Sequence, residues 1–136
     1  MRAFLAAASL LVVGCPAEVP CVADLDDACA PLSQDLSWSN VYSTVVVSSC
    51  ASPGVSCHAT EGSAGGLDLG DEETAWEQLV EPLDIAARIV PGDASCSDVM
   101  KRVHSDDANY QMPPSSPLSD PQSCMVQLWI DAGAAR

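Results

Sequence analysis

Cysteine content is the feature of this sequence that most limits how the chain can fold. The 136 residues contain seven cysteines, an odd number for a chain that begins like an exported protein. Setting aside Cys15, which directly follows the N-terminal apolar run and is assigned to a lipid below, leaves six: Cys21, Cys29, Cys50, Cys57, Cys96 and Cys124. Cysteines of exported proteins form disulfides or thioethers to a prosthetic group, and the possible pairings are too many for the sequence to decide.

The N-terminus predicts export and a lipid anchor. Arg2 precedes an apolar run, residues 3–13, that is too short to span a bilayer as a helix. Gly14 and Cys15 then end the run in the manner of a bacterial lipobox. We predict that residues 1–14 are a lipoprotein signal peptide and that lipidated Cys15 anchors the protein to a membrane, in the outer membrane on its periplasmic side or at the cell surface. A plain secretory signal with an incidental cysteine is the alternative.

Residues 49–60, SCASPGVSCHAT, carry the clearest chemical signal. Cys57 and His58 are adjacent and follow an apolar helix, the arrangement by which c-type cytochromes attach haem and bind its iron. Cys50 precedes Cys57 by a longer interval than in the usual C-x-x-C-H motif, and the turn at Pro53 and Gly54 could loop out the extra residues. Farther on, Met112 in YQMPP offers a thioether as second ligand.

Other interpretations of these residues remain open. Cys50 and Cys57 could form a disulfide, and Met112 could simply fill a gap in the core. A zinc site built from Cys50, Cys57, His58 and His104 is conceivable, but its spacing fits no known finger. No nucleophile motif for hydrolysis is present, and we expect no enzymatic activity.

Charge limits the partners of the protein. The full chain has a formal net charge of -14, and removal of Arg2 with the signal peptide makes the mature chain more acidic. Such a charge argues against nucleic acid and against anionic lipid surfaces as partners. It is compatible with a basic redox partner protein. An acidic surface that only keeps an exported protein soluble explains it as well.

Apolar periodicity predicts an all-α domain of about four short helices joined by long loops. We expect helices over residues 38–49, 72–80 and 94–104, and a last helix that starts at the capping box of residues 119–122 and stops at Gly133. Residues 15–36 lack such a pattern and are predicted to be an acidic tether, with the domain over residues 37–136. We expect Cys21 and Cys29 to close a small loop in the tether, and Cys96 and Cys124 to join the third and fourth helices.

Several fragments occur in a characteristic order: VYSTVV, SCH, GGLDL, AWEQLV, RIVPGD, MPP and LWIDAGA. Together they resemble the cytochrome c-like domains of planctomycete and myxobacterial exported proteins, many of which are lipoproteins. The resemblance covers residues 38–135. It implies haem c between the first and last helices, with His58 as proximal and Met112 as distal ligand. It also implies that Cys57 is the second haem cysteine and that Cys50 takes the place of the first.

Two functions follow from this reading of the sequence. The first is a monohaem c-type cytochrome lipoprotein that transfers single electrons, with Trp38, Tyr42 and Trp129 at the helix crossing near the haem. The second is a haem-free domain on the same scaffold, held by three disulfides, one of them between Cys50 and Cys57. It would serve as a binding or structural module at the surface.

Overall fold

The computed structural model describes residues 19–52, 57–82, 87–114 and 116–136. The predicted signal peptide, the lipidation site Cys15 and the predicted turn at Pro53 and Gly54 lie outside the described residues. Within them the chain is helical and contains no strand, which confirms the all-α prediction. The elements are α1 (Trp38–Val41), a π-helix (Tyr42–Cys50), a short 3-10 turn (Ala64–Gly66), α2 (Glu72–Val80), α3 (Asp98–Val103) and α4 (Asp120–Asp131).

The first predicted helix is present, but most of it is a π-helix that continues directly from α1. Hydroxyl side chains in this segment can explain why the α-helix is not continued. They donate to carbonyls one turn back and so compete with the backbone amides for these acceptors. Ser48 donates to the Thr44 carbonyl at 2.7 Å, and Ser52 donates to the Ser48 carbonyl at 2.8 Å. The Ala51 amide in turn reaches back five residues, to the Val46 carbonyl, at 2.9 Å.

Helices α2 and α4 have the predicted starts because their caps are strong. Asp71 accepts a hydrogen bond from the Thr74 amide at 3.0 Å, and α2 begins at the next residue. Ser119 and Gln122 form the predicted capping box of α4, with the Ser119 amide donating to Gln122 Oε1 at 3.0 Å. The chain leaves α4 through Gly133, whose φ of 105° only glycine adopts readily.

Helix α3 is shorter than predicted at its N-terminal end. Asp93 accepts hydrogen bonds from the Cys96 amide and from Ser95 Oγ, and these bonds hold residues 93–97 in turns before the helix begins. Buried Ser97 adds two more, donating through Oγ to the Asp93 carbonyl and accepting from the Val90 amide. The side chains of this segment thus stabilise a turn instead of the first turn of α3.

The core forms where α1 and the π-helix pack on α4. Trp38 stacks on Trp129 with ring centroids 4.8 Å apart, and both side chains are almost fully buried. Trp38 Nε1 donates to the Glu72 carbonyl at 3.0 Å, which joins the N-terminal end of α2 to this crossing. Met100 and Met125 are fully buried, as expected for core residues. No described helix has the length and apolar character needed to cross a membrane.

Residues 19–36, which we name the N-terminal strap, are covalently bonded to the helical domain. The disulfides join Cys21 to Cys96 and Cys29 to Cys124, so the predicted pairs Cys21–Cys29 and Cys96–Cys124 are wrong. Hydrogen bonds beside each bridge accompany the observed pairing. The Val22 amide donates to the Ser95 carbonyl at 2.9 Å, beside the Cys21–Cys96 bridge. The side chain of Gln127, on α4 with Cys124, donates through Nε2 to the Asp26 carbonyl of the strap at 3.2 Å.

Candidate functional site

A cavity of about 320 Å³ lies between the π-helix, α3, α4 and the loops that connect them. Its wall is mainly aliphatic and aromatic, and its volume falls in the range of small-molecule and cofactor sites. The apolar residues of the wall come from every part of the domain, among them Trp38, Val41, Val45, Val46, Leu67, Leu69, Leu79, Ile89, Val99, Val103, Leu118, Val126 and Trp129. Most of the wall would therefore exclude water from a bound group.

His58 lines this cavity and is held by the loop that follows it. Its Nδ1 lies 3.3 Å from the Leu67 carbonyl oxygen. A carbonyl only accepts, so this bond requires the proton on Nδ1 and leaves the lone pair on Nε2, the atom available to a metal. The His58 amide donates to the Cys50 carbonyl at 3.1 Å, and the Leu69 amide donates to the His58 carbonyl at 2.6 Å. The backbone on both sides of the imidazole is therefore fixed.

Met112 lines the same cavity, although it lies 54 residues farther along the chain than His58. Its amide donates to the Arg102 carbonyl at 3.0 Å, which fixes the long loop to the end of α3. Pro113, the next residue, also lines the cavity. The structure thus brings the imidazole and the thioether singled out in the sequence to one cavity.

Cys50 and Cys57 are both thiols in the structure, and neither takes part in a disulfide. Cys50 ends the π-helix and lines the cavity. Burial, and to a smaller extent the neighbouring Cys57, raises the pKa of the Cys50 thiol from 9.0 to about 11. Cys57 precedes His58 and is half-buried, but among the described residues it is not part of the cavity wall.

The sequence reasoning missed a charged group in the cavity wall, formed by Arg88, Asp98 and Arg102. Arg102 Nε donates to Asp98 Oδ2 at 2.9 Å, and Tyr110 Oη donates to Asp98 Oδ1 at 2.7 Å. Burial tends to raise the pKa of Asp98, but these two bonds, together with the positive charges of Arg102 and Lys101, outweigh it, and the pKa lies below its ordinary value. Burial also lowers the pKa of Arg88. Lys and Arg are rare in this acidic chain, and this rarity was the signal in the sequence that could have identified Arg88 and Arg102.

Other predicted roles can now be compared with the structure. Among the described residues, no group of three or more His, Cys, Asp or Glu side chains is arranged to hold a metal ion, so the zinc hypothesis finds no support. His104 Nε2 instead lies 2.9 Å from Ser123 Oγ. Trp38 and Trp129 line the cavity, whereas Tyr42 lies beside Trp38 and donates to the Leu69 carbonyl at 3.1 Å.

Comparison with protein families adds independent evidence. Residues 55–116 match the model of a family described as planctomycete cytochrome C. This match supports a cytochrome c-like domain in the chain. The matched segment includes Cys57, His58 and Met112. It begins after Cys50, so the match does not cover the first of the two predicted haem cysteines. Neither the curated proteins nor the solved structures gave a match to the chain.

Proposed function

We propose that this cytochrome c-like domain binds one haem c and transfers single electrons, without catalysing a reaction. One observation carries the proposal: His58 and Met112, far apart in sequence, line the same apolar cavity. A His and Met pair is a common axial ligand set of c-type cytochromes and favours a higher reduction potential than other common sets.

The residues present fit such a group. His58 Nε2 has its lone pair free because Nδ1 is held by the Leu67 carbonyl, as is usual for a metal-binding histidine. Met112 supplies the thioether sulfur, and the thiols of Cys50 and Cys57 are not consumed by a disulfide. Bound haem would supply an iron that accepts and releases one electron. The chain would orient the group through His58 and exclude water with the apolar wall of the cavity.

The haem-free alternative predicts three disulfides, and the third of them is not formed. It required Cys50 to pair with Cys57, and both are thiols in the structure. Two bridges remain, and they hold the N-terminal strap to the domain on residues other than those of the cavity wall. The alternative therefore has no specific observation in its favour and becomes one outcome of the test below.

The decisive experiment is to export the full chain from a host with cytochrome c maturation and to record its visible spectrum and intact mass. We expect a sharp reduced α band and a mass increase of one haem. Replacing Met112 with Leu should then abolish the methionine–iron charge-transfer band while the haem stays attached. A colourless protein with the mass of the polypeptide and two disulfides would overturn the proposal and favour the haem-free domain.

Export, lipid anchoring and the partner form a second part of the proposal. We propose that Cys15 carries the lipid of an outer-membrane lipoprotein and that a basic protein exchanges electrons with the acidic surface. Replacing Cys15 with Ser should release the protein from the membrane fraction without changing its spectrum. Retention of C15S on the membrane would contradict the anchor, and electron exchange with a basic cytochrome that does not slow as salt is added would contradict the electrostatic partner.

A further inference from the structure

Cys50 and Cys57 lie differently relative to the cavity. Cys50 lines it together with His58 and Met112. Cys57 is the direct neighbour of His58 in the chain, yet it is not part of the wall that the described residues form. In the C-x-x-C-H motif both thiols lie within about one turn of the ligand histidine, whereas here six residues separate them. The chain therefore departs from the usual motif in space as well as in sequence.

Backbone hydrogen bonds hold Cys50 at the cavity wall. Cys50 is the last residue of the π-helix, and the Ala51 amide closes this end of the helix by donating to the Val46 carbonyl at 2.9 Å. The Cys50 carbonyl accepts from the His58 amide at 3.1 Å, so the backbones of the two residues are in direct contact. Cys50 also packs against the buried core. The thiol of Cys50 and the imidazole of His58 therefore belong to one part of the wall.

The peptide that joins Cys57 to His58 is bonded through both of its polar atoms. Its carbonyl accepts from the Ala64 amide at 2.9 Å, and its amide donates to the Cys50 carbonyl. A cysteine has a single side-chain torsion before its sulfur, so its thiol reaches little beyond the position of its backbone. Because this peptide is fixed, we expect the Cys57 thiol to stay outside the cavity when a group is bound there.

We propose that haem is attached to this domain by a single thioether, through Cys50, and that Cys57 remains a thiol. This inference rests on the proposed function, and it departs from the expectation from sequence that both cysteines are bonded to haem. In the attachment the Cys50 sulfur bonds to one carbon of a haem vinyl group, and the thiol hydrogen adds to the other carbon. The addition has no leaving group and no net transfer of electrons, so it needs no further reactant. The second vinyl group stays unsaturated.

The parent protein provides the first test. The full chain is exported from a host with cytochrome c maturation, unfolded and treated with iodoacetamide, and the modified cysteines are located by fragmentation in a mass spectrometer. We expect haem on Cys50 and the label on Cys57. The α band of the pyridine haemochrome should lie between those of a haem with two thioethers and a haem with none, since each unsaturated vinyl group moves this band to longer wavelength. Haem bonded to both cysteines would overturn the proposal and leave the cytochrome function intact.

Two matched variants, C50S and C57S, provide the second test, because each removes one sulfur and keeps the other. We expect acidified organic solvent to extract the haem from denatured C50S and to leave it attached in denatured C57S, as in the parent. The reverse result would assign the thioether to Cys57 and overturn the proposal. If C50S does not fold, the location of haem and label in the parent and in C57S still decides between the two cysteines.

Failure of this inference can be distinguished from failure of the proposed function. Haem that is present in the parent but is wholly extracted by the solvent would overturn the thioether and leave a haem-binding domain. A parent that leaves the host without haem would overturn the proposed function, and this inference with it.

Discussion

The six described cysteines fall into two regions with opposite chemistry. In the N-terminal strap, Cys21 and Cys29 are bonded to Cys96 and Cys124, across sequence separations of 75 and 95 residues. Cys50, which lines the cavity, and Cys57, seven residues farther along the chain, remain thiols. Oxidised pairs thus join distant segments, and reduced thiols lie beside the proposed haem site. The comparison teaches that the bridges of the strap and the proposed attachment of haem involve separate sets of cysteines in one small domain.

Removing the thiols of Cys50 and Cys57 should have the largest effect on the proposed haem. We expect the double variant C50S/C57S, matured as above, to lose all covalently attached haem, because no thiol would remain at the site to form a thioether. The measurement is the fraction of haem that acidified organic solvent extracts from the denatured protein. The double variant C29S/C124S should keep its haem covalently bound, and extraction of that haem would break the comparison between the two regions.

Removing a strap disulfide should have the largest effect on stability. Because the Cys21–Cys96 bridge is still present in C29S/C124S, the closed path that is lost is shorter than the sequence separation, and the chain-entropy model gives it about 4 kcal/mol of unfolding free energy. Urea unfolding of the haem-free chain under non-reducing conditions measures the change. C50S/C57S is the matched control, since it also removes two sulfurs but no bridge. Equal midpoints for the two double variants would show that the strap bridge stabilises nothing.

The Cys50 thiol should react slowly in the folded haem-free chain. Its raised pKa of about 11 favours the protonated form, so at pH 8 the reactive thiolate is roughly 100-fold rarer than at the ordinary value of 9.0. Reactivity should rise as the pH approaches 11. Iodoacetamide labelling followed by mass mapping measures the rate, and the urea-unfolded chain is the control. If Cys50 is labelled at the same rate in the folded chain and in the unfolded chain, its thiol is not buried.

The smallest expected effect concerns the polar contacts of the strap. Gln127 is almost fully buried on α4 and donates to the Asp26 carbonyl. Q127A should cost about 1 kcal/mol, because it deletes one neutral hydrogen bond between the strap and α4. Urea unfolding measures the loss, with exposed Glu81 replaced by Ala as the control. A loss as large as that of C29S/C124S would mean that polar contacts, not the disulfides, hold the strap.

Elements with strong local caps could be predicted from the sequence. Helix α2 starts where Asp71 caps it, and α4 starts where Ser119 and Gln122 form a capping box, since each signal acts within one turn. The start of α3 could not be predicted in the same way. There the Asp93 and Ser97 side chains bond to nearby backbone and favour a turn over a helix, although both residues are also compatible with a helix start.

Long-range pairings could not be predicted from the sequence. The disulfide partners depend on where the strap crosses α3 and α4, and the residues of the strap show no periodic pattern that specifies this path. The carbonyl that orients His58 belongs to Leu67, and any carbonyl of the following loop would have been an equal candidate. His58 and Met112 were identifiable because their chemistry is rare, whereas Arg88 and Arg102 were overlooked because charges usually face solvent.

The Cys21–Cys96 bridge has a consequence for how far the domain can travel from a lipid on Cys15. The bridge fixes the chain to the domain six residues after Cys15, a span of about 20 Å when fully extended. Without it, the next fixed point would be the Cys29–Cys124 bridge, 14 residues after Cys15, and that span would extend to roughly 48 Å. A lipidated protein would thus be confined to a thin layer at the bilayer surface, and an electron donor or acceptor would have to approach within that layer.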